Sequence, residues 1–194
     1  MNTPRVDLSF PHRWQAEILA ARPLILPPRH FTYPATVEEV ERGALEVLIQ
    51  PAPDLEGRSP DAESFLTTCA LGFHDPSVPT GLWSTPQPTV LCAVAGGYAY
   101  LIDTGAPERF TMLPYRPVFA VLPAVESGLL LFAGNRSILA WGAHGVAWES
   151  PKLSDEGLTL TGIEGDVLRG LGWEMITDKE TPFVLDLRDG AILN

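Results

Sequence analysis

The residues best suited to acid–base chemistry are two histidines and one aspartate in predicted loops. His74 and Asp75 are adjacent and precede Pro76, while His144 stands in a short turn before Gly145. A neighbouring imidazole and carboxylate can share a proton or bind a metal ion near neutral pH. Turn chemistry also explains them, because Asp-Pro initiates turns and tight turns favour polar residues. We take His74, Asp75 and His144 as catalytic candidates, and favour the structural interpretation.

Aromatic and arginine side chains form a second group of candidates. Most aromatic residues of a β protein belong to its core, because each buries about 150–250 Å². Tryptophan, tyrosine and arginine are also the residue types that dominate binding hot spots. The candidate ligand- or partner-binding residues are Trp83, Tyr98, Tyr100, Arg109, Arg116 and Arg136.

Sequence motifs for common catalytic sites are missing. Lys152 and Lys179 have no glycine-rich loop before them, so a Walker phosphate site is excluded. HExxH, CxxC and GxSxG patterns do not occur, which removes standard zinc, redox and α/β-hydrolase sites. Cys69 and Cys92 each lie in an apolar stretch and are predicted to be buried free thiols. We therefore expect neither a cofactor nor a metal.

The charge balance narrows the class of partner. The chain of 194 residues has 24 acidic and 13 basic residues, a net charge of −11, and no cluster of Lys and Arg. Such a surface repels nucleic-acid phosphates and anionic membranes. The longest apolar run, residues 90–102, is shorter than the roughly 20 residues of a membrane span. The N-terminal residues do not resemble a signal peptide, so we expect a cytoplasmic protein.

Residues 1–43 are predicted to form a proline-rich arm with short helices. Residues 12–22 place Trp14, Ile18 and Ala21 at helical spacing. Thr36 and Glu39 have the spacing of a capping box for a helix over residues 37–42. The segment 23–34 is rich in proline and cannot form a helix or a central strand, so we expect an extended arm on the surface.

Residues 44–194 are predicted to form an all-β domain. Short apolar runs of strand length follow one another, and Gly, Pro, Asn or Asp separates nearly all of them. No helix-length periodic stretch lies between the runs, which favours an antiparallel meander over βαβ units. The expected fold is therefore a single all-β domain, either a sandwich or barrel or a blade-like partial propeller.

Two segments of the second half share a design. Residues 138–148 and 183–193 each contain an apolar strand, a tight turn that ends at Gly145 or Gly190, and a second apolar stretch. They begin 45 residues apart, and blades of β-propellers repeat at about 40–45 residues. The segments resemble the outer blade hairpin of PQQ-type and WD40-like propellers. The resemblance implies a blade-like fold and does not imply a bound quinone.

Two functions remain open on this sequence. The favoured hypothesis is a non-catalytic protein- or ligand-binding or assembly protein, since catalytic motifs are missing and proline-rich arms pack on partners. The alternative is a small hydrolase or isomerase whose site is built from loops around His74, Asp75 and His144. Open strand edges are usually covered or paired, so we also expect self-association into a homo-oligomer.

Overall fold

A computed structural model describes residues 3–35, 40–52 and 63–193 and shows an all-β protein. The prediction of an all-β fold is confirmed. The chain divides into two compact units, unit 1 (Met1–Arg116) and unit 2 (Pro117–Asn194). Over the described ranges, unit 1 contains nine strands: β1 (Arg5–Asp7), β2 (Trp14–Ile18), β3 (His30–Tyr33), β4 (Ala44–Pro51), β5 (Phe65–Ala70), β6 (Gly81–Ser84), β7 (Val90–Ala95), β8 (Tyr98–Asp103) and β9 (Phe110–Met112). Seven strands belong to unit 2: β10 (Ala120–Ala124), β11 (Leu129–Ala133), β12 (Ile138–Gly142), β13 (Gly145–Glu149), β14 (Leu158–Glu164), β15 (Val167–Glu174) and β16 (Lys179–Asp186).

Unit 1 consists of two sheets, with strand orders β1-β6-β7-β8-β9 and β2-β4-β5-β3. Most neighbours are antiparallel, but β1 pairs with β6 and β3 pairs with β5 in parallel. The apolar core of the unit contains residues of both sheets, among them Ile49, Phe65 and Leu91, all fully buried. Tyr100 on β8 donates a hydrogen bond of 2.9 Å to the carbonyl of Ala70 on β5, which ties the two sheets together.

The predicted helix over residues 12–22 is wrong, because Trp14–Ile18 is strand β2. Trp14, Ala16 and Ile18 face the core, while Gln15 and Glu17 are exposed, which is the period of two of a strand. Trp14 and Ile18 are four residues apart, and this spacing fits both a strand and a helix. The sequence pattern alone could not separate the two.

The proline-rich segment forms part of a sheet. His30–Tyr33 is strand β3, which lies at the edge of its sheet and pairs with β5. An edge position agrees with the expectation that this segment could not be a central strand. The predicted capping box of Thr36 and Glu39 lies outside the described residues. No finding tests the predicted domain boundary after residue 43, which stays a prediction.

Unit 2 is built from two antiparallel meanders, β10-β11-β12-β13 and β14-β15-β16. A bridge between Leu185 and Ile192 continues the second sheet beyond β16. The core of the unit contains residues of both sheets, including Leu131 on β11 and Leu168 on β15. Trp148 donates a hydrogen bond of 2.8 Å to the carbonyl of Leu187.

Gly190 shows why the last turn needs glycine. Its φ is +74°, a left-handed conformation that side chains disfavour. A Cβ atom at this position would also lie 2.5 Å from the ring of Trp148. The segment 183–193 therefore turns at a residue that the core tryptophan packs against directly.

Candidate functional site

Three polar side chains form a hydrogen-bonded row on the sheet of β2, β4, β5 and β3. Alternate residues of these strands face the core, and Glu46 on β4, Thr68 on β5 and His30 on β3 lie on the opposite face, here called the outer face. The Thr68 hydroxyl donates a hydrogen bond of 2.7 Å to the Glu46 carboxylate, and the His30 ring Nε2 lies 2.9 Å from the Thr68 oxygen. Thr68 is fully buried and Glu46 is 6% exposed.

The row has a definite direction of donation. Because the single Thr68 proton goes to Glu46, the ring Nε2 of His30 must carry a proton and donate to Thr68. His30 therefore does not act as a base toward this hydroxyl, and the hydroxyl is closed to solvent. Partial burial, with a smaller effect of Arg22, lowers the pKa of His30, and Glu46 opposes the shift. The arrangement fixes three strands in register and is not that of a catalytic nucleophile.

The connection between β2 and β3 passes beside this face. Both strands are edges of the sheet and run in the same direction, so residues 19–29 must return along the strands and cross β4 and β5. The Leu19 amide donates to the carbonyl of Glu46, and the Leu66 amide donates to that of Arg29. The Arg29 guanidinium lies 5.5 Å from the ring centroid of Phe65. The connection is therefore anchored at both ends.

The middle of this connection exposes large aliphatic side chains. Leu24 is 104% exposed, Ile25 is 88% exposed and Leu26 is 39% exposed. We call these three residues the aliphatic ridge. Pro23 precedes the ridge and Pro27 follows it, and each proline restricts its own φ and the residue before it. The chain bends at Leu24 and Ile25, between these two prolines.

A second exposed aliphatic pair lies in the turn between β15 and β16. Met175 is 65% exposed and Ile176 is 88% exposed. We call residues 174–178 the hairpin tip. Three hydrogen bonds hold it: the Met175 amide to Asp155 Oδ2 (2.8 Å), the Thr177 hydroxyl to Glu174 Oε2 (2.7 Å) and the Trp173 indole to Asp178 Oδ1 (3.2 Å). Asp178 is the one described non-glycine residue with positive φ, at 51°.

A shallow pocket of about 230 Å³ lies beneath the hairpin tip. Its lining includes Ser154, Asp155 and Trp173. Hydrogen bonds join the segment of Ser154 to the backbone of Trp173. The Ser154 hydroxyl donates to the carbonyl of Trp173 at 3.0 Å and accepts the Trp173 amide at 2.9 Å. The Lys152 ammonium pairs with the Asp155 carboxylate, and hydrogen bonds from Lys152 and Met175 lower the pKa of Asp155. These groups fasten the segment to β15.

The catalytic candidates His74 and Asp75 contact backbone groups. His74 Nε2 lies 2.7 Å from the carbonyl of Arg42, to which it donates. The Asp75 carboxylate accepts the amide of Ser77 at 2.8 Å, and this bond lowers the pKa of Asp75. His144 is exposed in the turn between β12 and β13. His74 and Asp75 belong to unit 1 and His144 to unit 2.

The aromatic candidates are mainly buried. Trp83 is 1% exposed, and its indole Nε1 has no hydrogen-bond partner among the described residues. Tyr100 is fully buried and bonds to Ala70. Tyr98 is 9% exposed and packs edge-on against Phe73, with ring centroids 5.9 Å apart. None of these three side chains presents a large accessible surface.

The three arginine candidates have different partners. Arg116 lies with its guanidinium 5.5 Å from the ring centroid of Tyr98, so the structure brings two candidates together in a cation–π contact. Arg109 forms an exposed ion pair with Asp103 at 2.9 Å. Arg136 Nε donates a hydrogen bond of 3.0 Å to the carbonyl of Asp155.

Both cysteines are free and buried, as the sequence predicts. Burial raises the pKa of the Cys69 thiol to about 12 and raises the pKa of Cys92 as well. In the described ranges, no three His, Cys, Asp or Glu side chains are grouped closely enough to hold a metal ion. The same ranges contain no helix capable of spanning a bilayer.

Comparisons with known proteins give no family. No protein-family model matches the chain, and no curated protein is similar to it. The functional argument therefore depends on the residues of this chain alone. Sequence reasoning missed the polar row, the aliphatic ridge and the hairpin tip. The signal for the ridge was a run of consecutive aliphatic residues between prolines. The signal for the tip was an aliphatic pair among acidic residues in a hairpin turn.

Proposed function

We propose that this protein acts by binding another protein through the aliphatic ridge. One observation carries the proposal: Leu24 and Ile25 are adjacent and almost completely exposed in a segment anchored at both ends. Single exposed aliphatic residues are common on protein surfaces, but a contiguous group of them is typical of an interaction site. Burying two such side chains in a partner contributes about 3–6 kcal/mol before the costs of association.

The conformation of the ridge supports this function. Pro23, Pro27 and Pro28 fix their own φ, so the connection loses less conformational entropy when a partner binds it. The bonds from Leu19 to Glu46 and from Leu66 to Arg29 fix the two ends of the connection on the sheet. The ridge therefore resembles a preformed ligand more than a loop that must fold on binding.

The finer features of the fold and location belong to the same proposal. The hairpins at residues 138–148 and 183–193, with glycine turns at Gly145 and Gly190, support a blade-like design for unit 2. Two buried free thiols support a reducing, cytoplasmic location, since disulfides persist in oxidising compartments. The acidic net charge supports a protein partner over a nucleic acid.

Site-specific photo-crosslinking tests the binding function. The photoreactive amino acid p-benzoylphenylalanine replaces Ile25 in one variant and Val146, a 56% exposed residue of β13, in the matched control. We expect irradiation of producing cells to give a discrete adduct at position 25 and none at position 146. Peptide mass spectrometry identifies the protein in the adduct, and its complex with this chain is then reconstituted from purified proteins. Equal or absent adducts at the two positions would exclude the ridge as a binding site.

A further inference from the structure

We propose that the partner of the aliphatic ridge is the hairpin tip of a second copy of this chain. The inference rests on the proposed function and adds the identity of the partner. Both surfaces present an exposed aliphatic pair, Leu24 and Ile25 on the ridge and Met175 and Ile176 on the tip. Contact between the two pairs would remove both from water.

The hairpin tip is as well ordered as the ridge. Three carboxylates hold it in place by accepting hydrogen bonds from the Met175 amide, the Thr177 hydroxyl and the Trp173 indole. A turn held in this way presents Met175 and Ile176 without a large ordering cost on association. Methionine adapts its shape to the surface it meets, which suits a contact with branched aliphatic residues.

The charges around the two surfaces are complementary. Residues 18–35 contain Arg22 and Arg29 and no acidic residue. Residues 174–180 contain Glu174, Asp178 and Glu180 against a single Lys179. Two copies of net charge −11 repel one another, so their contact requires a basic surface to face an acidic one. The ridge connection is the basic segment of unit 1 that also carries exposed aliphatic residues.

The proposed contact joins two different patches, and every copy carries both. The ridge of one copy can therefore contact the tip of a second copy, and that second copy still has its own ridge with which to make a further contact. This arrangement differs from a ridge-to-ridge contact in one testable way. Damage to the ridge of one copy and to the tip of another leaves one intact contact in a mixed pair.

Sedimentation velocity on the full chain provides the test. The ridge variant carries Leu24→Ser and Ile25→Ser, and the tip variant carries Met175→Ser and Ile176→Ser. The matched control carries Val125→Ser and Val146→Ser, at residues 45% and 56% exposed elsewhere in unit 2. Every substituted side chain is at the surface, and circular dichroism checks that the fold is kept.

We expect the wild type and the control to sediment as dimers or larger oligomers of the 21.1 kDa chain at concentrations up to about 100 µM. The ridge variant and the tip variant should each sediment as monomers alone and form a mixed pair when combined. Arg22→Glu should weaken self-association about tenfold at low salt, and less at high salt, where charges are screened. These results together would support the ridge-to-tip contact.

Other outcomes separate this inference from the proposed function. A wild-type monomer overturns the self-association. If the adduct at Ile25 is then an identified different protein, the binding function stands and the second copy is wrong; if no adduct forms, both are wrong. A ridge variant that is monomeric beside a tip variant that still pairs with itself would overturn the assignment of the tip.

Discussion

The outer face of the unit 1 sheet and the hairpin tip of unit 2 contain the same hydrogen bond in opposite surroundings. Thr68 donates to Glu46, and Thr177 donates to Glu174, each over 2.7 Å. Glu46 is 6% exposed, whereas the bond at the tip is exposed to water. If the hydroxyl donor is removed, water can take its place at the tip but not on the buried outer face. Two bonds of equal length therefore contribute unequally to the free energy of unfolding.

The two regions also present aliphatic residues by different means. The ridge is flanked by prolines, and its connection is fixed by backbone hydrogen bonds to β4 and β5. The tip contains no proline and is held by carboxylates that accept an amide, a hydroxyl and an indole N–H. The ridge should therefore tolerate the loss of any one side chain, whereas the tip depends on Asp155, Glu174 and Asp178.

The largest expected effect is that of Thr68→Val. This isosteric substitution leaves a buried carboxylate oxygen of Glu46 without its donor and the Nε2–H of His30 without its acceptor. We expect the free energy of unfolding to fall by about 2–3 kcal/mol, measured by urea denaturation. Thr177→Val is the matched control, with an expected loss of less than about 0.5 kcal/mol because water takes the place of the hydroxyl. Equal losses in the two variants would refute the role of burial.

A smaller effect is expected from Gly172→Ala in β15. The new Cβ atom would lie 2.0 Å from the carbonyl oxygen of Leu153, so the segment that carries Ser154 and Asp155 must move away from the strand. We expect the free energy of unfolding to fall by about 1–2 kcal/mol, and hydrogen exchange to become faster at the Met175 amide, which donates to Asp155.

Gly162→Ala in the neighbouring strand is the control for this substitution. A Cβ atom there meets nothing within 4 Å, and the backbone is not in the left-handed region. Its expected effect is neutral, or stabilising by less than about 1 kcal/mol. If Gly172→Ala left the Met175 amide as protected as Gly162→Ala does, the tip would not depend on the segment beneath it.

Several strands, among them β4, β7 and β12, could be predicted from the sequence, whereas strand β2 and the pairing in unit 1 could not. Runs such as residues 90–94 and 138–141 are apolar, short and bounded by turn residues, so local pattern was sufficient. Residues 14–18 were assigned to a helix because their apolar spacing of four fits both periods. Strand β2 is decided by its contact with β4, about 30 residues away in sequence, which local pattern does not contain.

The surfaces of interest were harder to predict for a related reason. Glu46 alternates with core residues in β4, a pattern typical of a side chain that faces solvent, yet it is only 6% exposed. Its partner Thr68 lies on β5, more than 20 residues away in sequence. Leu24 and Ile25 belong to the arm that was expected to contact a partner, so the region was indicated but the residues were not. The Met175–Ile176 pair gave no periodic signal, because it occupies a turn.

The smallest effect that separates the two regions is a pH dependence. Partial burial and Arg22 lower the pKa of His30 below its ordinary value of 6.5, so the unfolded chain binds the proton first. The stability that neutral His30 contributes is complete above about pH 7.5 and decreases as the pH falls through 6.5 toward the lower pKa of the folded state.

Urea denaturation between pH 5 and pH 8 measures how steeply the free energy of unfolding changes with pH. This slope should be smaller in His30→Gln and also in Arg22→Ala. Glu174→Gln at the tip should leave the slope unchanged, because no histidine lies between residues 173 and 179. If His30→Gln did not reduce the slope, protonation of His30 in the folded protein would cost no more than protonation of an exposed histidine. The contacts of the polar row would then not disfavour the charged imidazole.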